Sequence, residues 1–504
     1  MKKGSNSFEV TFKPNDNYVP GEYQLLSSYD AVTITHTVTF KNYGVAGQSI
    51  WVSPTATSKG SGSNNDPMDI YTAVKYVQPG QTIVLMGGTY NLESPLTIAR
   101  GIDGTEANLI SMVADPAATT RPVFDFEHLA AGMIAAGDYW YFQGFDVINS
   151  ADGQKGIQAS GNNSTFDQVN AYHNGNSGFM VCRLLVSDLW ADWPANNLFL
   201  NCTSYGNADS SYADADGFSA KLTCAEGNVF RGCIAYNNAD DGWDLFAKVD
   251  TGKIGVVIVD NCVAYGNGYL EDGTNAGNGN GFKLGGSSIT GKHQLINCVS
   301  YNNKAKGIDS NSCPDIIITN NTSYNNGLGS TTKDRSTNIA LYTQDATNTD
   351  FSASGTLSFK SNLNDLIMSI SDSENIKPKG TQDLTKINGV SNYYWNGTSS
   401  VNSLNEAVAA NWFTSLDTSI VPTRNADGSI NMNGLLVLTA FAPATVGARL
   451  VATPSKSILI PTSVPAPKTG DATHMYLFFT LSIMSGAALV GLYFYNKKRK
   501  LAVR

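Results

Sequence analysis

The motif Asn201-Cys202-Thr203-Ser204-Tyr205-Gly206-Asn207, followed by Asp216-Gly217-Phe218, is the stretch that decides the fold. Later copies of the Cys-x-x-Tyr-x-Asn motif each lead to a glycine before a hydrophobic residue, at Gly242, Gly281 and Gly307. Intervals of 31, 29 and 36 residues separate the cysteines of the four copies, Cys202, Cys233, Cys262 and Cys298. A sequence repeat of about 20 to 50 residues is typical of a solenoid.

Short runs of Val, Ile and Phe, bounded by Asn and Gly, fill each repeat and indicate strands rather than helices. We therefore predict an all-β fold, a right-handed parallel β-helix, in which equivalent side chains form rows about 4.8 Å apart. The glycine of each copy predicts a tight corner at which it adopts a positive φ. The four motif cysteines share one inward position, so we expect a row of free thiols rather than disulfides.

The stacking of coils predicts which polar side chains meet at the corner. Directly before the corner glycine, successive coils carry Asp216, Asp241, Asn280 and Lys306. Two residues after this glycine they carry Ser219, Asp244, Lys283 and Asp309. We therefore expect Asp216 and Asp241 to be neighbours, with Asp240 and Asp244 close by and Lys283 one coil above Asp244.

Four carboxylates in one place repel each other unless a cation lies among them. The ligands are Asp216, Asp240, Asp241 and Asp244, with no His or Cys, so the expected ion is Ca²⁺ rather than zinc. Lys283 is placed to act as a base, provided that burial and the cation lower its pKa. Two plainer interpretations stay open: the Asp residues are ordinary corner residues of a β-solenoid, or Lys283 forms a surface ion pair with Asp244 or Asp309.

The segments ADGFSAK (215–221), DDGWDLF (240–246) and NGFKLGG (280–286) occur in this order. Together with the surrounding sequence they closely resemble the pectate lyases of polysaccharide lyase family 9. The resemblance extends from about residue 50 to about residue 330, and more loosely to 445. It implies calcium bound by Asp216, Asp240, Asp241 and Asp244, with Lys283 as the catalytic base.

The implied reaction is β-elimination on polygalacturonate (pectin), which gives unsaturated oligogalacturonides. Basic residues that could bind substrate carboxylates are Arg183, Lys221 and Lys248, although a solvated side chain is the favoured alternative for each. Other functions stay possible. A β-helical polygalacturonase would use paired Asp residues to hydrolyse the same polymer, and a non-catalytic surface adhesin would bind calcium only for its structure.

Segments outside the repeat divide the chain into further regions. Residues 1–45 are strand-rich and have no assigned role, and residues 46–449 form the predicted lyase domain. The first residues lack the apolar segment of a signal peptide. Because the C-terminal segment indicates export, we expect the natural start to lie upstream or the chain to be a fragment.

Residues 66–77 predict a short amphipathic helix that caps the open end of the solenoid. The insert at 268–279, which precedes Lys283, is a candidate for substrate contacts.

A Pro-, Ser- and Thr-rich linker at 450–474 contains Ala-Pro-Lys-Thr-Gly, in which Pro467, Thr469 and Gly470 match a sortase sorting motif. An apolar run at 475–495 is long enough for a transmembrane helix, and the basic tail up to residue 504 would stay in the cytoplasm. This order resembles a cell-wall sorting signal, although Ala466 stands where Leu is usual. The expected partners are sortase, peptidoglycan and the membrane, and the alternative is a plain membrane anchor. Both place the enzyme outside the cell.

The formal net charge of the 504-residue chain is −9 at pH 7. Such a charge argues against nucleic acid as a partner. Because it also disfavours a polyanionic substrate, binding of pectin must depend on local features, namely calcium and a few basic residues. We expect the protein to be a monomer.

Overall fold

A computed structural model describes residues 4–12, 32–40, 47–328, 337–344, 350–371, 378–379 and 390–455. The chain divides into two compact units, Met1–Ile460 and Pro461–Arg504, of which the second lies outside the described residues. The predicted sorting motif and the predicted membrane span at 475–495 therefore also lie outside them. Within the part that is described, no helix is both long enough and apolar enough to cross a bilayer.

Three long sheets form the body of the protein, and each coil from Thr82–Leu85 onward contributes one strand to each sheet in turn. Neighbouring strands in these sheets are parallel throughout, apart from the last pair of the third sheet. Sheet 1 contains, among the described residues, the strands Ser49–Val52, Thr82–Leu85, Ile110–Ala114, Trp140–Gln143, Thr165–Asp167, Leu198–Leu200, Asn228–Arg231, Val257–Asp260, Gln294–Ile296, Ile317–Thr319 and Ser352–Ser354.

Sheets 2 and 3 follow sheet 1 along each coil. Sheet 2 contains the described strands Gly88–Asn91, Pro122–Asp125, Asp146–Ile148, Asn170–Tyr172, Thr203–Tyr205, Ile234–Tyr236, Val263–Tyr265, Val299–Tyr301, Thr322–Tyr324 and Leu357–Phe359. Sheet 3 contains the described strands Leu96–Ile98, Met133–Ala135, Ile157–Ala159, Phe179–Val181, Phe218–Ser219, Trp243–Asp244, Phe282–Lys283, Ile308–Asp309, Ile339–Thr343, Leu366–Ser371 and Pro378–Lys379. The predicted right-handed parallel β-helix is confirmed.

Shorter elements surround the coils. The predicted helix is present as Ile70–Tyr76, where the side chain of Asp69 caps its first turn by accepting a hydrogen bond from the Thr72 N–H. This helix packs against the first strands of sheets 1 and 3 and buries Ile70, Ala73 and Val74. The remaining elements are the antiparallel pairs Gly4–Phe12 with Val32–Phe40, Tyr394–Trp395 with Ser400–Val401 and Thr423–Arg424 with Ile430–Asn431, and the 3₁₀ turns Trp190–Asp192 and Ala410–Trp412.

Stacked rows of like side chains fill the interior. One row of aromatic rings runs through Phe179, Phe218, Trp243 and Phe282 with ring centroids 4.8–5.0 Å apart. The motif cysteines form the expected row: the Cys233 N–H donates to Cys262 Sγ, and all seven cysteines of the chain are buried and free. The prediction of stacked thiols is thereby confirmed, because a buried thiol packs as a small apolar group.

The asparagine that ends each motif forms a second row, a buried ladder. Each side-chain amide donates to the carboxamide oxygen of the next coil: Asn238 Nδ2 lies 2.9 Å from Asn267 Oδ1, and Asn267 Nδ2 lies 2.8 Å from Asn303 Oδ1. The ladder runs through Asn174, Asn207, Asn238, Asn267, Asn303, Asn326 and Asn338. Burial of so many amides is tolerated because each has partners on the coils below and above.

Glycine is required at the corners for a reason other than the predicted positive φ. Gly217, Gly242 and Gly281 are absent from the residues with positive φ, so that part of the prediction is wrong. A Cβ on Gly242 would instead lie 2.6 Å from the Gly281 carbonyl oxygen and 2.8 Å from Asn267 Nδ2. Glycine is needed at this corner because the next coil and the asparagine ladder approach the backbone too closely for any side chain.

The C-terminal strap, residues 447–455, runs back along the coils. Asn297, Asn261 and Asn201 bind the backbone of Arg449, Val451 and Thr453 through their side-chain amides. At its end, the Ser455 hydroxyl donates to Asp167 Oδ1. Residues 450–455, which the sequence assigns to the linker, are thus hydrogen-bonded to the coils.

We predict that Asn267→Ala lowers the free energy of unfolding by about 2 to 4 kcal/mol, because it leaves buried donors of Asn238 without an acceptor. Denaturant titration followed by circular dichroism measures the change. The exposed Asn64→Ala is the matched control and should change stability by less than about 0.5 kcal/mol. Equal stabilities of the two variants would contradict the role given to the ladder.

Candidate active site

The predicted stacking at the corner before sheet 3 is confirmed. Phe218 pairs with Trp243, and Trp243 pairs with Phe282, so Ser219, Asp244 and Lys283 form a row on three successive coils. In the row directly before the corner glycine, backbone N–H groups link successive coils. The Asp241 N–H donates to Asp216 Oδ1 at 3.2 Å, and the Asn280 N–H donates to Asp241 Oδ1 at 2.7 Å. Each functional side chain is therefore positioned by the register of its own coil.

Three of the four predicted calcium ligands lie together. One carboxylate oxygen from each of Asp216, Asp241 and Asp244 lies within 4.8 Å of the other two, and all three residues are buried. Asp240 is also buried but is not part of this group of three; its Oδ1 accepts a hydrogen bond from the Asn278 N–H at 2.9 Å. The stacked coils thus concentrate negative charge at one corner.

Two ammonium groups are placed among these carboxylates. Lys221 Nζ lies 2.7 Å from Asp216 Oδ2 and 3.0 Å from Asp244 Oδ2. Lys283 Nζ lies 3.1 Å from Asp241 Oδ2 and 3.4 Å from Asp244 Oδ1. The side chain of Lys221 is 9% exposed and that of Lys283 is 16% exposed, so Lys283 is the more accessible of the two.

Burial and the charges of neighbouring residues shift the pKa values of Asp216, Asp240 and Asp244. Burial, reinforced by the charges of Asp244 and Asp241, raises the pKa of Asp216 to about 6 against the opposing effect of Lys221. Burial and the charge of Asp241 also raise the pKa of Asp240 well above its usual range. Burial opposes ionisation of Asp244, but the two lysines outweigh it and lower the pKa of this carboxyl.

The charges of these carboxylates also determine the direction in which the pKa of Lys283 shifts. Burial alone would lower the pKa of its ammonium, but the carboxylates of Asp241, Asp244, Asp240 and Asp216 outweigh burial and raise this pKa well above the ordinary lysine value. With no cation among the carboxylates, Lys283 is therefore protonated and serves as a counter-ion. A cation among these carboxylates would oppose this effect and favour the neutral amine.

The residues present fit a calcium ion. The donor set consists of carboxylate oxygens, which hard divalent cations prefer. Asp241 Oδ2 is buried and accepts no hydrogen bond within the described part of the chain, although Lys283 Nζ lies 3.1 Å away in ion-pair contact. An oxygen that is removed from water and not fully satisfied by protein donors is suited to a metal ligand.

The three basic residues predicted to bind substrate lie in different surroundings. Lys221 belongs to the carboxylate group itself. Lys248 is partly exposed, with its Nζ 4.0 Å from Asp250 Oδ2 on the surface. Arg183 is partly buried, and its backbone N–H donates to Thr223 Oγ1. Of the three, the structure brings Lys221 to the acidic group.

Several supporting residues were not given a role by sequence reasoning. Ser177 and Ser219 donate their hydroxyl groups to Asp216 Oδ2 at 3.1 and 2.6 Å. Asn280 donates from both its backbone and its side chain to Asp241 Oδ1. Their sequence positions could have indicated this role, because each residue stands at the same distance from its corner glycine as a predicted acidic ligand does in a neighbouring coil.

Comparison with known proteins agrees with the fold. The chain matches the family described as "Pel9A-like, right handed beta helix region" over residues 50–344. It is 42% identical to a pectate lyase L of Thermoclostridium stercorarium over 65% of this chain, and it spans 26% of that longer relative. It is 36% identical to a pectate lyase L of Paenibacillus polymyxa (strain SC2), over 81% of this chain and 85% of the relative.

Two solved structures are similar as well. The crystal structure of pectate lyase Pel9A is 28% identical, with a TM-score of 0.58 over 83% of this chain and 94% of that one. A rhamnogalacturonan lyase, 21% identical with a TM-score of 0.60 over 80% of this chain and 99% of that one, shares the fold.

The stacked coils, the acidic corner and the relatives together define a polysaccharide lyase built on a right-handed parallel β-helix. Within this class, the chain belongs to the Pel9A-like family.

We predict that Lys283→Ala lowers the melting temperature in the presence of a chelator, because a buried ammonium that neutralises Asp241 and Asp244 is lost. Added calcium should raise the melting temperature of this variant more than that of the unmodified protein, because a more negative site binds the cation more tightly. Differential scanning calorimetry measures both effects. The exposed Lys59→Ala is the control, and an equal calcium effect in Lys283→Ala and Lys59→Ala would refute the prediction.

Proposed function

We propose that the protein is an extracellular, calcium-dependent pectate lyase that cleaves polygalacturonate by β-elimination. Asp216, Asp240, Asp241 and Asp244 would hold the calcium ion, and Lys283 would be the base. The observation that carries the proposal is the position of Lys283 Nζ, within 3.4 Å of carboxylate oxygens on two neighbouring corner residues. The names of the curated relatives support pectate as the substrate class.

The chemistry begins with the weak acidity of the proton beside a uronate carboxylate. A bound calcium ion would supply positive charge that stabilises the negative charge developing on that carboxylate. Lys283 takes the proton from the carbon next to the carboxylate, and the electron pair forms a carbon–carbon double bond. The glycosidic oxygen leaves from the neighbouring carbon with its electrons and takes up one proton from solvent, which balances the proton that Lys283 removes. No water is consumed, and one product has an unsaturated uronate at its end.

Lys283 must be neutral to accept this proton. Its ammonium is stabilised by the charges of the surrounding carboxylates, as their effect on its pKa indicates. Carboxylates that are shared with a divalent cation stabilise the ammonium less, so the conditions that complete the site also favour the neutral amine. Lys221, which is more deeply buried and contacts Asp216 and Asp244, is suited to hold these two carboxylates in place.

Two other functions give different experimental results. A polygalacturonase-type hydrolase would use two carboxyl groups as acid and base and would leave the position of Lys283 without a purpose. An adhesin would bind calcium without turnover. Incubation with polygalacturonate, with and without a chelator, distinguishes the three. Calcium-dependent ultraviolet absorbance of unsaturated uronate indicates a lyase, new reducing ends without absorbance indicate a hydrolase, and the absence of both indicates an adhesin.

We predict that Lys283→Ala reduces the rate of absorbance increase by at least about 10³-fold, because the proton acceptor is lost. Calcium binding, measured by isothermal titration calorimetry, should persist because all four Asp residues remain. The exposed Lys59→Ala is the control for general effects of removing a lysine. Near-normal turnover by Lys283→Ala would show that another residue is the base.

We also propose that sortase attaches the enzyme to peptidoglycan after cleavage behind Thr469, with the apolar run at 475–495 serving as a transient membrane anchor. The sequence of the motif, the apolar run and the basic tail supports this proposal. In a sortase-bearing Gram-positive host, the full chain should remain in the cell-wall fraction after detergent extraction and be released by a muralytic enzyme. Thr469→Ala should shift the protein to the membrane fraction, and an unchanged distribution would favour another kind of attachment.

A further inference from the structure

A second group of charged residues lies one coil above the proposed base. In the row directly before the corner glycine, the side chains change from Asp216 and Asp241 to Asn280 and then to Lys306. Lys306 continues this row, since its backbone N–H donates to Asn280 Oδ1 at 3.2 Å. The position that carries a carboxylate at the acidic corner therefore carries an ammonium group two coils further on.

This ammonium group belongs to a buried ion pair. Lys306 Nζ lies 2.8 Å from Asp309 Oδ2, and the two side chains are only 3% and 2% exposed. The other oxygen of Asp309 accepts a hydrogen bond from the Asn311 N–H at 2.9 Å. An ammonium has three donors, and within the described residues Asp309 is the one hydrogen-bond acceptor of Lys306 Nζ, which also lies 5.2 Å from the centre of the Tyr342 ring.

The pair borders an open cavity of about 210 Å³. Lys283 and Lys306 both line it, with Asp309 as the acidic residue of its wall. The remaining walls include the ring of Phe246 and the amides of Asn280 and Asn311. The cavity is smaller than the roughly 300–1,000 Å³ of a pocket for a drug-sized ligand, and this size suits a single sugar ring.

We propose that this cavity is a subsite for one uronate ring of the polymer, next to the ring from which Lys283 removes the proton. Lys306 donates hydrogen bonds to the carboxylate of that ring, in competition with its ion pair to Asp309. The inference rests on the proposed lyase function and adds a substrate-positioning residue to it. Because successive coils are about 4.8 Å apart, a polymer lying along the corner rows meets Lys283 and Lys306 in turn.

Binding is tested without turnover, in the Lys283→Ala background at saturating calcium, with hexagalacturonate as the ligand in isothermal titration calorimetry. The double substitution Lys306→Met with Asp309→Asn removes both charges together, so no unpaired charge remains buried. It should weaken binding about tenfold, the effect of one charge-assisted hydrogen bond. Asp309→Asn alone should tighten binding several-fold, because no carboxylate then competes for the ammonium. Lys59→Met is the control and should leave binding unchanged.

Unchanged affinity of the folded double variant would overturn the subsite. Should that variant fail to fold, Asp309→Asn decides: tighter binding supports the subsite, and unchanged or weaker binding refutes it. In enzyme that retains Lys283, the double variant should raise KM for polygalacturonate more than it lowers kcat. Absence of lyase activity in the unmodified protein would instead refute the proposed function, which separates the two failures.

Discussion

The hydrogen-bond register between parallel coils is the constraint on which the site depends. Gly217, Gly242 and Gly281 each donate their N–H to the carbonyl of the residue before the corner glycine of the next coil, at 2.8–2.9 Å. This arrangement requires a backbone without a side chain at the corner, because a Cβ would collide with the coil above. A slip by one residue would turn every carboxylate from the outer face into the core. Backbone pairing between the coils therefore determines which side chains meet at the corner.

Charge compensation explains how such an acidic corner can be stable. The carboxylates are buried, and burial disfavours their ionised form, as the raised pKa values of Asp216 and Asp240 indicate. Lys221 and Lys283 provide the opposing charge, and serine hydroxyls and the Asn280 amide provide hydrogen bonds. A site that holds its own counter-ions can keep its geometry without a metal, and it leaves a cation only part of the charge to neutralise.

Features that repeat with the coil could be predicted from the sequence, and features that depend on side-chain direction or distant contacts could not. The row of Ser219, Asp244 and Lys283 follows directly from the spacing of the corner glycines. The pairing of Lys221 with Asp216 and Asp244 depends on how a long side chain turns back towards the corner. The asparagine ladder could not be predicted, because it becomes visible only when the amide orientations on neighbouring coils are known. Contacts of the C-terminal strap join residues far apart in sequence, such as Asn297 and Arg449, and no local pattern reports them.

The attachment of the strap has a mechanical consequence. Its contacts follow one another along the coils, from Gly447 beside Gly355 to Ser455 beside Asp167. Tension applied from the C-terminal side would therefore load Ser455 first, then Thr453 and Val451, and would peel these bonds apart one after another. The strap would therefore detach before the coils that carry Lys283 are pulled apart.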